Sequence, residues 1–168
     1  SGLADHLIDK ELGSALICDP KRPVHHHQGR IDGSDLARIR AQLQGVLDDT
    51  ALIADFAGSY FSKTKCNLDL QELEYPFSEA GLSDELATRS LIRTGGLRCF
   101  YVDETVGQGV CYIEGERFEF GAACRDAVLA LCDNERLSHA MLKPWLQESA
   151  FVDALTRWTN GGYWYFED

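Results

Sequence analysis

A chain whose last residues run Gly161, Gly162, Tyr163, Trp164, Tyr165, Phe166, Glu167 and Asp168 must find cover for four consecutive aromatic rings. The glycine pair suits the end of a helix, where a left-handed residue closes the last turn. The aromatics suit a strand packed on both faces. Chain ends usually fray, so this strand is expected to be tied into a core. A ligand-stacking surface is the less favoured use of the same rings.

The residues before it supply the rest of a compact α+β unit. Helices are expected over 138–159, with Pro144 near a helix start, Ser149 as a cap, and an inner face of Phe151, Val152, Leu155 and Trp158. A helix over 122–132 would bury Cys124, Ala127, Val128 and Leu131. Strands are expected near 97–102, 110–113 and 116–120, the last two joined through Glu114 and Gly115 as a hairpin. Ser83 would cap a helix running through Arg93, with Gly95 and Gly96 ending it.

The first part of the chain reads as helical. Leu3, Leu7 and Ile8 mark an opening helix that stops at Gly13, and 14–31 looks irregular. Ser34 would cap a helix with Leu36, Ile39, Leu43, Val46 and Leu47 at spacings of three and four. Thr50 would cap another, with Leu52, Phe56 and Tyr60 along one side. A segment this small cannot cover all these side chains itself. Leu36, Ile39, Leu43, Leu47, Leu52 and Phe56 are therefore the candidate faces for another domain or a second copy, a homodimer. The stretch 64–82, with its single Pro76, reads as a linker, giving two domains at 1–75 and 76–168.

Charge narrows the partners. The chain of 168 residues has 16 basic and 27 acidic side chains, a net charge of −11. Both parts are acidic, and neither holds a dense basic cluster. Duplex binding draws much of its affinity from neutralised phosphates, so nucleic acid is an unlikely partner; basic proteins suit this surface better. No apolar run approaches the roughly 18 residues needed to cross a bilayer. No signal-peptide pattern opens the chain, and six cysteines without a CxxC pair read as reduced thiols in the cytoplasm. Ser1 opens inside a helical pattern, as expected of a piece of a longer protein.

Three strings carry a resemblance: 91–100 (Leu91, Ile92, Arg93, Thr94, Gly95, Gly96, Leu97, Arg98, Cys99, Phe100), the opening 1–7, and the aromatic terminus. Together they resemble the C-terminal part of the bacterial ribosomal oxygenases. These are cupin-fold, JmjC-type proteins that use iron and 2-oxoglutarate to hydroxylate an arginine of a large-subunit ribosomal protein. The resemblance covers essentially the whole chain but only the segment after the catalytic barrel. It implies a helical dimerisation segment followed by a winged-helix-like domain with a small antiparallel sheet. Fe(II) and 2-oxoglutarate would belong to the absent barrel. Relatives tend to be proline-rich between the two parts, whereas this linker carries only Pro76.

No catalytic, cofactor-binding or metal-binding residue is assigned to this chain. A facial triad needs a His-x-Asp or His-x-Glu pair, and none of His6, His25, His26, His27 and His139 is followed two places on by a carboxylate. His25 and His27 could grip a metal from one side of an extended loop, but no diagnostic third and fourth ligands stand nearby, and a solvated loop is the favoured use. Gly107, Gln108 and Gly109 are expected in a β-loop, a wing over 103–109 bearing Asp103 and Glu104. The helix over 122–132 would be the recognition helix of a nucleic-acid binder, yet it offers Arg125 beside Asp126 and Asp133. The adjacent carboxylates Asp48 and Asp49 read as solvated charge.

Overall fold

The computed structural model describes residues 2, 3, 5, 31–65 and 68–167. The expected opening helix beyond residue 5, the histidines His6, His25, His26 and His27, and Cys18 and Cys66 lie outside the described residues. By packing, the chain forms two compact units, Ser1–Phe56 and Ala57–Asp168.

In the first unit, helix α1 spans Gly33–Asp48. Its cap is Asp32, not Ser34. The Asp32 carboxylate accepts from the Ser34 and Asp35 amides at 2.8 and 3.1 Å, and Asp35 accepts from the Asp32 amide at 3.2 Å. A carboxylate satisfies two orphan donors and complements the positive end of the helix dipole, so it outcompetes a neutral hydroxyl two residues later. Helix α2, Thr50–Ser62, begins in this unit and ends in the second. Its first turn is capped the same way, by Asp49 accepting from the Leu52 amide at 3.0 Å, where Thr50 was expected.

The second unit is α+β. In chain order it holds α3 (Glu79–Leu86), β1 (Leu91–Arg93), β2 (Cys99–Phe100), α4 (Asp103–Val106), β3 (Val110–Ile113), β4 (Glu116–Glu119), α5 (Arg125–Asp133), β5 (Arg136–Leu137), α6 (His139–Leu142), α7 (Ser149–Asn160) and β6 (Trp164–Phe166). Short 3-10 turns at Ala122–Cys124 and Lys143–Trp145 lead into α5 and out of α6, the second with Pro144 in its first turn. The strands form two antiparallel sheets, in the orders β5-β1-β6 and β2-β3-β4, where one small sheet was expected.

The second sheet exists because the helix expected to run through Arg93 starts and stops earlier. Ser78, just after Pro76, caps α3 through the Gly81 amide, while Ser83 turns its hydroxyl back onto the Glu79 carbonyl in mid-helix. The helix closes near Arg89, and Leu91–Arg93 becomes a strand pairing with Trp164–Phe166 on one side and Arg136–Leu137 on the other. Gly95 and Gly96 therefore close a turn after a strand. The Leu97 amide donates to the Thr94 carbonyl at 3.1 Å, and Gly96 takes a φ of 87° that suits the third place of such a turn.

The β3–β4 hairpin is as expected, with Ile113 facing Glu116 and both tip residues, Glu114 and Gly115, at positive φ. All four β3 residues are buried because both faces are covered. Cys111 and Ile113 join the main core with Leu82, Leu131, Leu155 and Trp164. On the other face the Tyr112 ring lies against Gly58 of α2, where an added Cβ would overlap the ring carbons. Helix α7 buries Phe151, Val152, Leu155 and Trp158 as its spacing predicts, and Thr156 and Thr159 satisfy their buried hydroxyls on the Val152 and Leu155 carbonyls. Its cap position is Glu148 rather than Ser149.

The stretch read as a linker is partly fastened. The Asn160 side chain accepts from the Phe77 amide at 2.8 Å and donates to the Phe77 carbonyl at 2.9 Å, while the Leu73 amide donates to the Asn160 carbonyl at 2.9 Å. Beyond the cap, Gly162 at φ 77° passes so close to Gln71 that a Cβ would lie 2.5 Å from its carbonyl oxygen.

Two helical glycines should respond with opposite signs to Ala. At Gly45 of α1 an added methyl would meet nothing within 4 Å, so Gly45→Ala should stabilise its helix by up to about 1 kcal/mol through propensity. Gly58→Ala gains the same propensity but must displace the base of the Tyr112 ring, an overpacking cost of about 1–3 kcal/mol. Urea unfolding should show a net loss at 58 and none at 45. Asn160→Ala strands both main-chain groups of Phe77 and should cost about 1–3 kcal/mol in the same measurement.

Candidate functional site

Three surfaces could carry function, beginning with α1. Its apolar residues recur every three or four places, which puts them on one face. Leu36, Ile39, Leu43 and Leu47 are 60, 53, 53 and 56% exposed. Four large aliphatic side chains in one row, each more than half open to water, make a contiguous apolar strip of the kind that marks an interaction site. Of the other two expected interface residues, Leu52 and Phe56 are half-buried on α2.

A second surface does not follow from the sequence pattern. Phe61 at the end of α2 and Phe100 on β2 are both exposed, and with Gly58, Arg98, Tyr101 and Val102 they line an open groove of about 240 Å³. Arg98 donates to the Phe61 carbonyl at 3.4 Å, which sets its guanidinium beside the rings. The strand period of two is the one signal for it: with Cys99 inside, Phe100 must point out. Reading 97–102 as one apolar strand hides that alternation.

The third surface is the helix and hairpin that a winged-helix binder would present to a duplex. The segment 103–109, expected as the wing, instead starts with the helical turn α4, whose Thr105 and Val106 are buried. Gly107 caps that turn and Gly109 leads into β3. The hairpin tip, Glu114 and Gly115, is half-buried, held from behind by Ser62, which accepts from the Gly115 amide at 3.0 Å, and by Thr64, which donates to the Glu114 carboxylate. Around the tip stand Glu116 and Glu119, the latter paired with Arg117 at 2.8 Å. On α5 the exposed charges are Arg125, bound to Asp126 at 2.8 Å, and Asp133. Each exposed cation on these two elements is matched by a carboxylate, and carboxylates are in excess. Beside the hairpin, Tyr163 has its phenol pKa pushed up by burial and then by Glu116 and Glu114.

Iron does not fit the described residues. No three His, Cys, Asp or Glu side chains among them come together as a metal site. His139 opens α6, and the residue two places on is Met141, not a carboxylate. The thiols of Cys99, Cys111, Cys124 and Cys132 are free and buried.

With this geometry in place, comparison with known proteins is direct. Residues 45–165 match the family model described as ROXA-like winged helix, which is well over half of the chain. The chain belongs to the ROXA-like winged-helix family. Among relatives of this winged-helix chain, the ribosomal protein uL16 3-hydroxylase of Escherichia coli K12 is 27% identical over 168 residues. That alignment covers 99% of this chain and 43% of the relative. The crystal structure of the E. coli ribosomal oxygenase YcfD superposes with a TM-score of 0.85 at 26% identity, covering 99% of this chain and 44% of that one. The same protein in complex with cobalt and 2-oxoglutarate gives a TM-score of 0.86 at 26% identity, covering 99% and 45%. The chain thus spans less than half the length of the relatives it matches, and corresponds to their C-terminal winged-helix portion.

Proposed function

We propose that this chain is the non-catalytic dimerisation and winged-helix part of an iron- and 2-oxoglutarate-dependent ribosomal protein hydroxylase. The carrying observation is the family match combined with its extent: a near-complete match of this chain to under half of a ribosomal oxygenase. The chemistry would reside in a cupin barrel of the JmjC type, where Fe(II) and 2-oxoglutarate would oxidise an arginine of a ribosomal protein in the cytoplasm.

In this reading the segment 1–75 joins two subunits and 76–168 is the winged-helix domain. Leu36, Ile39, Leu43 and Leu47 supply the contact, since each is more than half exposed; Leu52 and Phe56 extend it. Burying such side chains against a second copy removes apolar area from water at about 25 cal/mol per Å², and a twofold pairing uses the row twice. The acidic surface suits a basic ribosomal protein and opposes phosphate.

Sedimentation equilibrium of the chain should show a dimer, and the double substitution Ile39→Glu with Leu43→Glu should weaken it at least about a hundredfold, because charges would be buried at the centre of the contact. Both side chains are solvent-facing in one copy, so far-UV circular dichroism should not change. A monomeric wild type at high micromolar concentration removes the dimer. The competing use, a free-standing nucleic-acid module, predicts salt-dependent binding to random duplex; the expected result is no binding even at low salt.

A further inference from the structure

The second unit buries a cluster of thiols for which the proposed function has no use. Cys99 lies on β2, Cys111 on the neighbouring β3, and Cys132 one residue before the end of α5. The Cys99 and Cys132 sulfurs are 3.1 Å apart, in direct contact, although the residues are 33 positions apart in sequence. Cys111, on the strand beside Cys99, is buried in the same core and bears on the acidity of both thiols. The cluster is shielded but not sealed: Cys111 is fully buried, whereas Cys99 and Cys132 retain 5 and 8% exposure. Cys124, on the 3-10 turn before α5, is also buried, yet no other thiol figures among the groups acting on it.

The three thiols are not equivalent. Cys132 is held below the ordinary thiol range, first by its hydrogen-bonding contacts with Cys111 and Cys99 and further by the Arg93 cation. Arg93 is fixed there by its own bond to the Cys132 carbonyl at 3.0 Å. Burial pushes the Cys99 thiol the other way. One sulfur is thus the preferred thiolate, and a second thiol already touches it. That is the division of labour between an attacking and a resolving cysteine.

We propose that Cys132 and Cys99 are a site of reversible oxidation, closing to a disulfide when the protein meets a peroxide. The Cys132 sulfur attacks one peroxide oxygen; the S–O bond forms, the O–O bond breaks, and the departing oxygen takes a proton and leaves as water or an alcohol. The Cys99 sulfur then attacks the sulfenic sulfur. The S–S bond forms, hydroxide departs, and the Cys99 proton makes it a second water. Two thiols have lost two electrons in all, and the peroxide has gained them. The sulfurs need to approach by only about 1 Å to reach disulfide length. The bond would tie β2 to α5 and close a loop containing the whole β3–β4 hairpin.

The test uses hydrogen peroxide on the folded chain, followed by alkylation and digestion without reduction. The expected product is one peptide pair joined through Cys99 and Cys132, with the intact mass lower by two hydrogens and restored by dithiothreitol. Formation should be at least about tenfold faster than in the urea-unfolded chain, where the two sulfurs are no longer held together. Cys111→Ser should still form the bond, and Cys99→Ser should stop at a sulfenic acid on Cys132 that dimedone traps. Should either variant fail to fold, the wild-type peptide map and its rate against unfolded chain decide alone. A bond from Cys132 to Cys111, bonds confined to Cys18 or Cys66, or oxidation no faster than in urea overturns the proposal.

Discussion

The second unit depends on the pairing of β6 with β1. Leu91, Ile92 and Arg93 face Phe166, Tyr165 and Trp164, which brings the last strand of the chain against a segment more than 70 residues earlier. Trp164 is thereby carried into the core beside Trp158, their ring centres 5.6 Å apart. Arg89 then seals the edge, donating to the Glu167 carbonyl at 2.8 Å and lying over the Phe166 ring. An apolar strand at this place would fray if left alone; here its inner edge, the Trp164 ring and its flank are engaged. Tyr165, expected to be covered on the second face, stays half exposed because β6 is an edge strand. The helix α7 that precedes it and the segment fastened to Asn160 both take their positions from that closure.

What could be read from the sequence divides along a physical line. Local periodicity sufficed for the inner face of α7, for the buried row of α5 and for the β3–β4 hairpin, because each is set by neighbours within a few residues. It failed at Leu91–Arg93, where apolar residues that follow a helical pattern continue it equally well, and where only a distant partner strand makes them extended. Cap positions slipped at four helices for a related reason. Polar residues stand close together at 32–35, 49–50, 78–83 and 148–149, and the choice among them falls to charge and backbone geometry that spacing does not show. At the functional surfaces, the row on α1 was legible as a helical stripe. The groove around Phe61 and Phe100 was not, because its two sides come from segments joined only by folding.

The surfaces agree with a supporting role. What the chain offers to the outside is apolar on α1, aromatic beside α2 and β2, and acidic around the hairpin and α5. The winged-helix architecture by itself does not choose among partners. On the hairpin and α5, the exposed arginines Arg117 and Arg125 are each paired with a neighbouring carboxylate.

The contact of Gly58 with Tyr112 links two positions that share no sequence motif. With the ring seated directly over the helix backbone, the two sites can hold a fixed total volume. Drift among relatives should therefore be correlated: a family member that acquires a methyl or larger group at the helix site can keep the same spacing between helix and hairpin only by shrinking the aromatic opposite.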